Sequence, residues 1–335
     1  MRPVLVAPDK FKGTLTAGAV ATAIAGGLER AGIASDICRI ADGGEGTLDI
    51  VAEATGATVV DAAAHDALGR PVGGRVAVFN NGKSALVQAS DAIGLDLIDE
   101  RDRDAVGASS YGAGELIAAA AALDVRQVFV GVGGTATTDG GAGALEALRA
   151  ARLLGARGAT GRAPRLTVLC DARAAWEQAA PVFAPQKGAS ASQAKELAAR
   201  LDSMAVRMPR DPRGVLLTGC GGGLSGALWA YAGAELKSGA GFVLDRLDFT
   251  ARMTAARGVV TGEGRLDHQT LLGKAVGEVA TRARQSGVPC HAIVGRREMT
   301  EFEARILDFE SVTEASTRRA IEVAASRLAT VLATQ

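Results

Sequence analysis

The sequence is poor in aromatic residues, in cysteine and in net charge, and each shortage excludes a class of protein. Its 335 residues include 2 Trp, 2 Tyr, 8 Phe and 4 Cys, and 37 basic residues balance 37 acidic ones. A balanced charge argues against a dedicated nucleic-acid or membrane-surface binder. No two cysteines form a C-x-x-C pair, so we expect buried free thiols in a reducing compartment. No apolar run approaches the roughly 18 residues of a membrane span, and no signal peptide is evident, so we expect a cytoplasmic protein.

The common nucleotide-binding motifs are also missing. The triplet Gly82-Lys83-Ser84 ends like a Walker A motif, but Ala77 occupies the upstream glycine position. The protein-kinase signatures and the G-x-S-x-G elbow of hydrolases are absent. Residues 221–226 fit G-x-G-x-x-G, without a clear acidic residue that ends a second strand about 20 positions further on. A nicotinamide-dependent oxidoreductase that uses residues 221–226 therefore stays an alternative.

Three glycine-rich loops carry acidic residues where a strand should lead into a helix. They cover residues 41–47, 133–141 and 261–267. Glycine lets backbone N–H groups approach a ligand, and a following helix N-terminus favours anions. Carboxylates beside an anion site indicate a divalent cation or a transferable proton. The loops therefore indicate phosphate chemistry with a metal.

Each charged loop residue also has an ordinary structural interpretation. Asp42, Asp139 and Asp267 are typical of turns and helix caps. His268 lies in the third loop, where it could contact a ligand. Lysines next to glycine could offset the charge of a nucleotide or could simply be solvated; they are Lys10, Lys12 and Lys187.

Strand and helix patterns alternate along the chain, with one interruption. Short apolar runs at 58–60, 72–79 and 85–87 predict consecutive strands, and Asn80-Asn81-Gly82-Lys83 predicts a hairpin. A further strand is expected at 215–217. Alternation of this kind predicts an α/β fold with a doubly wound, mainly parallel sheet, in which ligands lie outside the carboxyl ends of the strands.

The length suggests two domains. Residues 1–60 and 250–335 are expected to form a discontinuous Rossmann- or flavodoxin-like domain. Residues 61–249 are expected to form an inserted α/β domain with a mixed sheet, because the three consecutive strands lie there.

Five stretches in order resemble the type I glycerate kinase family. They are residues 7–17, 41–47, 133–141, 183–189 and 262–274. The resemblance implies ATP-dependent phosphorylation of D-glycerate with Mg²⁺, and an active site in the cleft between two α/β domains. It favours 2-phosphoglycerate as the product, with 3-phosphoglycerate as an alternative. Asp171 is followed here by Ala-Arg-Ala-Ala-Trp, where the family usually has Asn-Pro-Leu.

The resemblance also suggests roles for individual residues in an in-line phosphoryl transfer. The residues expected to be catalytic are Asp42, Lys12, Asp139, Lys187 and Asp267. Asp171 and Glu263 are expected to hold Mg²⁺. The residues expected to bind ATP or substrate are Asp9, Lys10, Gly43, Gly44, Glu45, Gly46, Gly133, Gly134, Thr135, Gly262, Gly264, Arg265 and His268.

Other functions remain open on the sequence alone. A kinase for another small hydroxy acid would share the same loops, and so would a non-catalytic sensor of organic acids or nucleotides. We expect small-molecule partners and neither nucleic acid nor membrane. The sequence leaves room for a homodimer.

Overall fold

The computed structural model of the chain describes residues 2–11, 13–156 and 158–332. The strands in these residues are β1 (Val4–Pro8), β2 (Ser35–Ile37), β3 (Thr58–His65), β4 (Pro71–Phe79), β5 (Ser84–Gln88), β6 (Gln127–Gly131), β7 (Leu154–Gly155), β8 (Gly158–Ala159), β9 (Arg165–Cys170), β10 (Glu235–Ser238), β11 (Gly258–Gly262), β12 (Arg265–Leu266), β13 (Cys290–Val294), β14 (Arg296–Arg297) and β15 (Ser311–Glu314).

Helices separate most of these strands. They are α1 (Ala17–Arg30), α2 (Thr47–Thr55), α3 (Ser90–Ile93), α4 (Tyr111–Ala121), α5 (Ala142–Ala150), α6 (Ala179–Phe183), α7 (Ala191–Ala205), α8 (Leu224–Ala232), α9 (Gly239–Arg246), α10 (Phe249–Ala255), α11 (His268–Leu271), α12 (Ala275–Ser286), α13 (Glu301–Leu307) and α14 (Arg318–Leu332). In the part of the chain that the structure describes, none combines the length and apolarity needed to cross a bilayer.

The first compact unit joins both ends of the chain, Met1–Ala41 and Val243–Gln335. Its sheet has the order β15-β13-β11-β1-β2, and every pair is parallel. Strands β1, β11 and β13 are buried throughout, as expected for a parallel sheet covered on both faces. Helices α1 and α14 pack closely, since a Cβ on Gly27 would lie 2.3 Å from the Glu322 carbonyl oxygen.

The second compact unit is Asp42–Phe242. Its six-stranded sheet has the order β10-β9-β6-β5-β4-β3. The pairs from β5 to β10 are parallel, whereas β3–β4 and β4–β5 are antiparallel. Asn80 and Asn81 join β4 to β5 with φ of 54° and 55°, the left-handed geometry of a tight hairpin turn. The predicted hairpin and mixed sheet are therefore confirmed, and so is the α/β fold class.

The unit boundaries differ from those suggested by the sequence. The first break follows Ala41 rather than residue 60, because α2 packs on β4 and β5 of the second unit. The second break follows Phe242, inside α9, rather than residue 249.

The strand predicted at 215–217 is wrong. These residues form turns, in which Leu217 has a φ of 73° and the Thr218 hydroxyl donates to the Val215 carbonyl oxygen at 2.6 Å. A strand cannot accommodate that left-handed residue. The edge next to β9 is occupied instead by β10.

Candidate active site

The loop that begins at Asp42 lies on the carboxyl ends of β6 and β9. Gly133 N donates to the Gly43 carbonyl oxygen at 3.3 Å, and Val132 N donates to the Leu169 carbonyl oxygen at 3.2 Å. Gly43 has a φ of 97°, and a Cβ there would lie 2.8 Å from the Leu169 oxygen. Only glycine fits this close, left-handed position. The first two acidic glycine loops therefore contact each other within the second unit.

Two acidic side chains flank this contact between loops. Asp42 is half-buried, and its Oδ1 accepts a hydrogen bond from Gly44 N at 3.1 Å. A Cβ on Gly133 would lie 2.7 Å from Gly44 Cα and 3.0 Å from Asp171 Cβ. The structure thus brings together Asp42 and Asp171, which are 129 positions apart in the sequence (171 − 42).

Lys187 is buried beside the second of these loops. Its side chain is only 4% exposed, and its Nζ donates to the Thr137 carbonyl oxygen at 2.5 Å. Burial lowers the pKa of Lys187 to about 8, and the carboxylates of Asp171 and Asp139 oppose that shift. A lysine with that pKa is still mostly charged at pH 7.

The first unit carries the third acidic loop at the carboxyl edge of its own sheet. Strands β1 and β11 are parallel and pair Pro8 with Gly262, so both end at the same edge. Asp9 N donates to the Gly262 carbonyl oxygen at 2.7 Å, and Asp9 Oδ1 accepts from Lys10 N at 2.7 Å. A Cβ on Gly262 would lie 2.0 Å from the Ile293 carbonyl oxygen, which explains the glycine.

Glu263 is the buried acid of this third loop. It is 5% exposed, and the Thr270 hydroxyl donates to its Oε1 at 2.6 Å. Burial raises the pKa of Glu263 to about 8, against the effects of Thr270 and Lys274, and the charges of Asp9 and Asp267 add to the rise. The carboxyl group is therefore mostly protonated at pH 7.

Asp267 forms the N-cap of α11. Its Oδ1 accepts from Gln269 N at 2.8 Å, and its own N–H donates to the Thr270 hydroxyl at 3.3 Å. This capping role matches the ordinary interpretation of an acidic loop residue. A catalytic role for Asp267 stays a prediction.

The family model described as the glycerate kinase family matches residues 4–164 and 160–334. These two matches span nearly all of the chain.

The chain belongs to the glycerate kinase family.

Relatives and a solved structure agree with this assignment. The chain is 36% identical over 321 residues to the glycerate kinase of Haemophilus influenzae, covering 87% of this chain and 85% of that protein. It is 34% identical over 325 residues to the glycerate 2-kinase of Escherichia coli K12, covering 87% and 84%. A crystal structure assigned to glycerate kinase 2 of Salmonella typhimurium LT2 superposes with a TM-score of 0.74 at 29% identity, covering 100% of this chain and 99% of that one. The predicted membership is confirmed, and with it the predicted class of enzyme, a kinase.

Within this member of the glycerate kinase family, the Asp139 carboxylate accepts hydrogen bonds at the N-termini of two helices, α4 and α5. Its Oδ2 accepts hydrogen bonds from Ser110 N at 2.9 Å, from the Ser110 hydroxyl at 2.8 Å and from Gly143 N at 3.1 Å. Its Oδ1 accepts from Gly141 N at 3.0 Å. Ser110 precedes α4, and Gly141 precedes α5. A carboxylate so fully engaged with the protein is better suited to capping than to catalysis.

Replacing Asp139 with Asn is therefore expected to lower the free energy of unfolding by about 2–4 kcal/mol. The amide would direct an NH₂ group at donors of Ser110 or of the α5 N-terminus, so buried donors would lose their acceptor. Urea unfolding measures the loss, with Asp61→Asn at an exposed carboxylate on β3 as the control. A variant that unfolds like the wild type but has lost its activity would instead support the catalytic role.

The residues present fit Mg²⁺ in the second unit better than in the first. Mg²⁺ prefers oxygen ligands and is usually held by one or two carboxylates together with waters and phosphate oxygens. Asp42 and Asp171 supply such carboxylates beside the glycine contact. Glu263 fits less well, because it is buried and its Oε1 already accepts a hydrogen bond from the Thr270 hydroxyl. Among residues 2–11, 13–156 and 158–332, no cluster of three or more His, Cys, Asp or Glu side chains is placed to hold a metal.

Several predicted binding residues lie at the surface of their loops. Glu45 and Gly134 are exposed. Arg265 is paired with Glu298 at 3.6 Å, and its side chain is 63% exposed. His268 Nδ1 lies 3.0 Å from Glu303 Oε1. Lys12 is outside the described residues.

The dinucleotide-like glycines have a packing explanation. Residues 221–226 follow turns instead of the strand that the dinucleotide fingerprint requires. Gly222 has a φ of 66°, and a Cβ there would lie 1.9 Å from the Thr137 carbonyl oxygen. Glycine at position 222 therefore allows this turn to pack closely against the loop of residues 133–141. The nicotinamide alternative loses its structural support.

The sequence also missed residues that shape the site. A Cβ on Gly239 would lie 2.2 Å from the Asp42 carbonyl oxygen, so this glycine closes the other side of the first loop. Thr270 bonds Glu263, and Gln88 Oε1 accepts from Leu48 N at 3.3 Å in α2. Gly239 and Gln88 lie in no recognisable motif, and Thr270 lies in the family-like stretch 262–274 but had no role assigned to it, so only the fold reveals these contacts.

Proposed function

We propose that this protein transfers the γ-phosphoryl group of ATP to a hydroxyl group of D-glycerate, with 2-phosphoglycerate as the product. The observation that carries the proposal is the contact between the Asp42 and Gly133 loops at the carboxyl ends of β6 and β9. Ligands of open α/β sheets bind in that position. Family membership supports glycerate as the acceptor, and the name of the Escherichia coli relative supports the 2-hydroxyl.

Backbone N–H groups of these loops would bind the phosphates. Gly43, Gly44 and Gly133 already donate to Thr47, Asp42 and Gly43 within the protein. We therefore assign phosphate binding to the N–H groups of Gly134, Thr135 and Gly46. Gly46 is the N-cap of α2, whose N-terminus favours an anion.

Asp42 is the residue we assign to the acceptor hydroxyl group. It is half-buried and adjoins the loop contact, so it can accept the proton that the hydroxyl loses during transfer. Its bond from Gly44 N fixes the orientation of the carboxylate, which a general base needs.

Asp171 would hold Mg²⁺, which would neutralise charge on the phosphate oxygens when bound. Its side chain lies against Gly133, so it is anchored next to the proposed phosphate donors. In the first unit, exposed Arg265 is suited to a carboxylate or phosphate ligand, because its guanidinium group can donate two parallel hydrogen bonds.

A substrate panel tests the proposal. ADP release should be followed with D-glycerate, L-glycerate, glycolate and lactate at matched concentrations of ATP and Mg²⁺. We expect kcat/KM for D-glycerate to exceed that for glycolate and lactate by about 100-fold or more, because a site that hydrogen-bonds two hydroxyl groups rejects acids that lack one. L-glycerate has both hydroxyl groups but the opposite configuration, so it should also react more slowly. A preference for glycolate or lactate would reassign the enzyme to another hydroxy acid. ADP release that no acid stimulates would contradict the proposal.

A further inference from the structure

We propose that Arg200 is a positioning residue for the glycine loop of residues 133–141, acting together with Lys187. The inference rests on the proposed function of that loop as a phosphate site. Arg200 Nη2 donates to the Thr138 carbonyl oxygen at 2.9 Å, and Lys187 Nζ donates to the Thr137 carbonyl oxygen at 2.5 Å. Two cations thus hold consecutive carbonyl groups of one loop.

These contacts are made in the interior of the second unit. Thr137 and Thr138 have no exposed surface, and Lys187 is 4% exposed. Hydrogen bonds from a charged donor are roughly twice as strong as neutral ones, and a low dielectric strengthens them further. The two bonds therefore fix the loop more firmly than its own main-chain contacts would.

Arg200 also links the loop to a second segment. Its Nη1 donates to the Val106 carbonyl oxygen at 3.0 Å. Its helix, α7, is anchored through Leu197 and Leu201, which are buried in a hydrophobic cluster with Trp176. The guanidinium group therefore fixes the loop relative to the helix α7.

Glycines also pack closely against this loop. Gly140 N donates to the Gly222 carbonyl oxygen at 3.0 Å, and Gly222 has no room for a Cβ against the Thr137 oxygen. The loop is thus held by a glycine turn as well as by the two cations. Gly134 and Thr135, the proposed phosphate donors, lie only a few residues before Thr137 and Thr138. Their orientation therefore depends on the clamp, by which we mean the hydrogen bonds from Lys187 and Arg200 to the carbonyl oxygens of these two threonines.

Arg200 would act without touching the substrate. The consequence is selective: loss of Arg200 should weaken the use of ATP, whose phosphates the loop binds, and leave KM for glycerate nearly unchanged. A residue that served only overall stability would not separate the two substrates.

The test compares Arg200→Met, Arg200→Lys and, as a control, Lys195→Met, which removes an exposed cation from the same helix. We expect Arg200→Met to raise KM for ATP about tenfold and to lower kcat about tenfold, because small misplacements of binding groups are costly. Arg200→Lys should recover part of the loss, since an ammonium group can bind one of the two carbonyls. Lys195→Met should match the wild type. Wild-type kinetics in Arg200→Met, or equal increases in both KM values, would overturn the inference.

Amide hydrogen exchange separates this inference from the proposed function. Exchange in residues 133–141 should be faster in Arg200→Met and in Arg200→Lys than in the wild type, with or without glycerate. Unchanged exchange in both variants would overturn the clamp, even in an active kinase. A wild-type protein that does not phosphorylate glycerate would overturn the proposed function, while the exchange result would still decide the clamp. If Arg200→Met does not fold, Arg200→Lys carries both measurements.

Discussion

Replacing Asp42 with Asn is expected to lower kcat by about 10²–10⁴-fold, the usual contribution of a general base. Asn has the same shape, and its Oδ1 can still accept the bond from Gly44 N, so the loop should keep its conformation. Only the negative charge and the capacity to accept a proton are lost. The free energy of unfolding should change by less than about 1 kcal/mol, as for most substitutions that leave packing intact.

The measurement is steady-state ADP release with saturating ATP and D-glycerate, together with urea unfolding of the same preparation. Asp49→Asn is the matched control: its carboxylate is 57% exposed and forms a surface ion pair with Arg75 at 2.6 Å. Such pairs contribute little to stability, so the free energy of unfolding should be unchanged. Asp49 is none of the residues assigned to the site, so activity should be unchanged as well. Turnover within about threefold of the wild type in Asp42→Asn would remove Asp42 from the mechanism.

Replacing Glu263 with Gln should stabilise the first unit at alkaline pH. Burial raises the pKa of Glu263 from 4.5 to about 8. Between these two values the folded protein binds more protons than the unfolded chain, so the free energy of unfolding falls as pH rises. Above pH 8 the cost of ionising this buried group is fully present, and a shift of this size corresponds to about 3–5 kcal/mol. Gln never ionises, and its amide oxygen can still accept from the Thr270 hydroxyl.

Urea unfolding at pH 5 and pH 8, with a chelator to remove divalent cations, tests this prediction. At pH 5 the variant and the wild type should differ little, whereas at pH 8 the variant should be more stable by a few kcal/mol. Glu301→Gln, which alters a side chain that is 81% exposed, should follow the wild type at both pH values. If the free energies of unfolding of Glu263→Gln and the wild type change with pH in the same way, burial does not raise the pKa of Glu263.

Much of the fold could be predicted from the sequence because it is encoded locally. The alternation of short apolar runs with helical patterns predicted the α/β class, and the residues at 80–83 predicted the hairpin between β4 and β5. The wrong strand prediction at 215–217 is explained by interactions between segments that are distant in the sequence. The run at 215–217 is as apolar as a strand, but Leu217 takes a left-handed conformation there. The sheet edge went to β10, whose Glu235-Leu236-Lys237-Ser238 sequence has only one apolar residue.

The sequence predicted the glycines of the candidate site better than it predicted the roles of the acidic residues. Close approach or a left-handed φ explains Gly43, Gly133 and Gly262, as loops next to strand ends require. The sequence could not tell a capping aspartate from a ligand-binding one. Asp139 turned out to be surrounded by donors from Ser110 and the α5 N-terminus, partners that come together only in the folded chain. Arg200 lies in no motif at all, because its contacts are with carbonyl groups that every residue carries.

Phosphorus NMR can identify the product formed from ATP and D-glycerate, and the same samples give the amount of ADP released. We expect one 2-phosphoglycerate for each ADP, with formation slowed by about 10²–10⁴-fold in Asp42→Asn. ADP released with free phosphate and without a phosphoglycerate would contradict the claim that the two glycine loops of the second unit direct the phosphoryl group to glycerate.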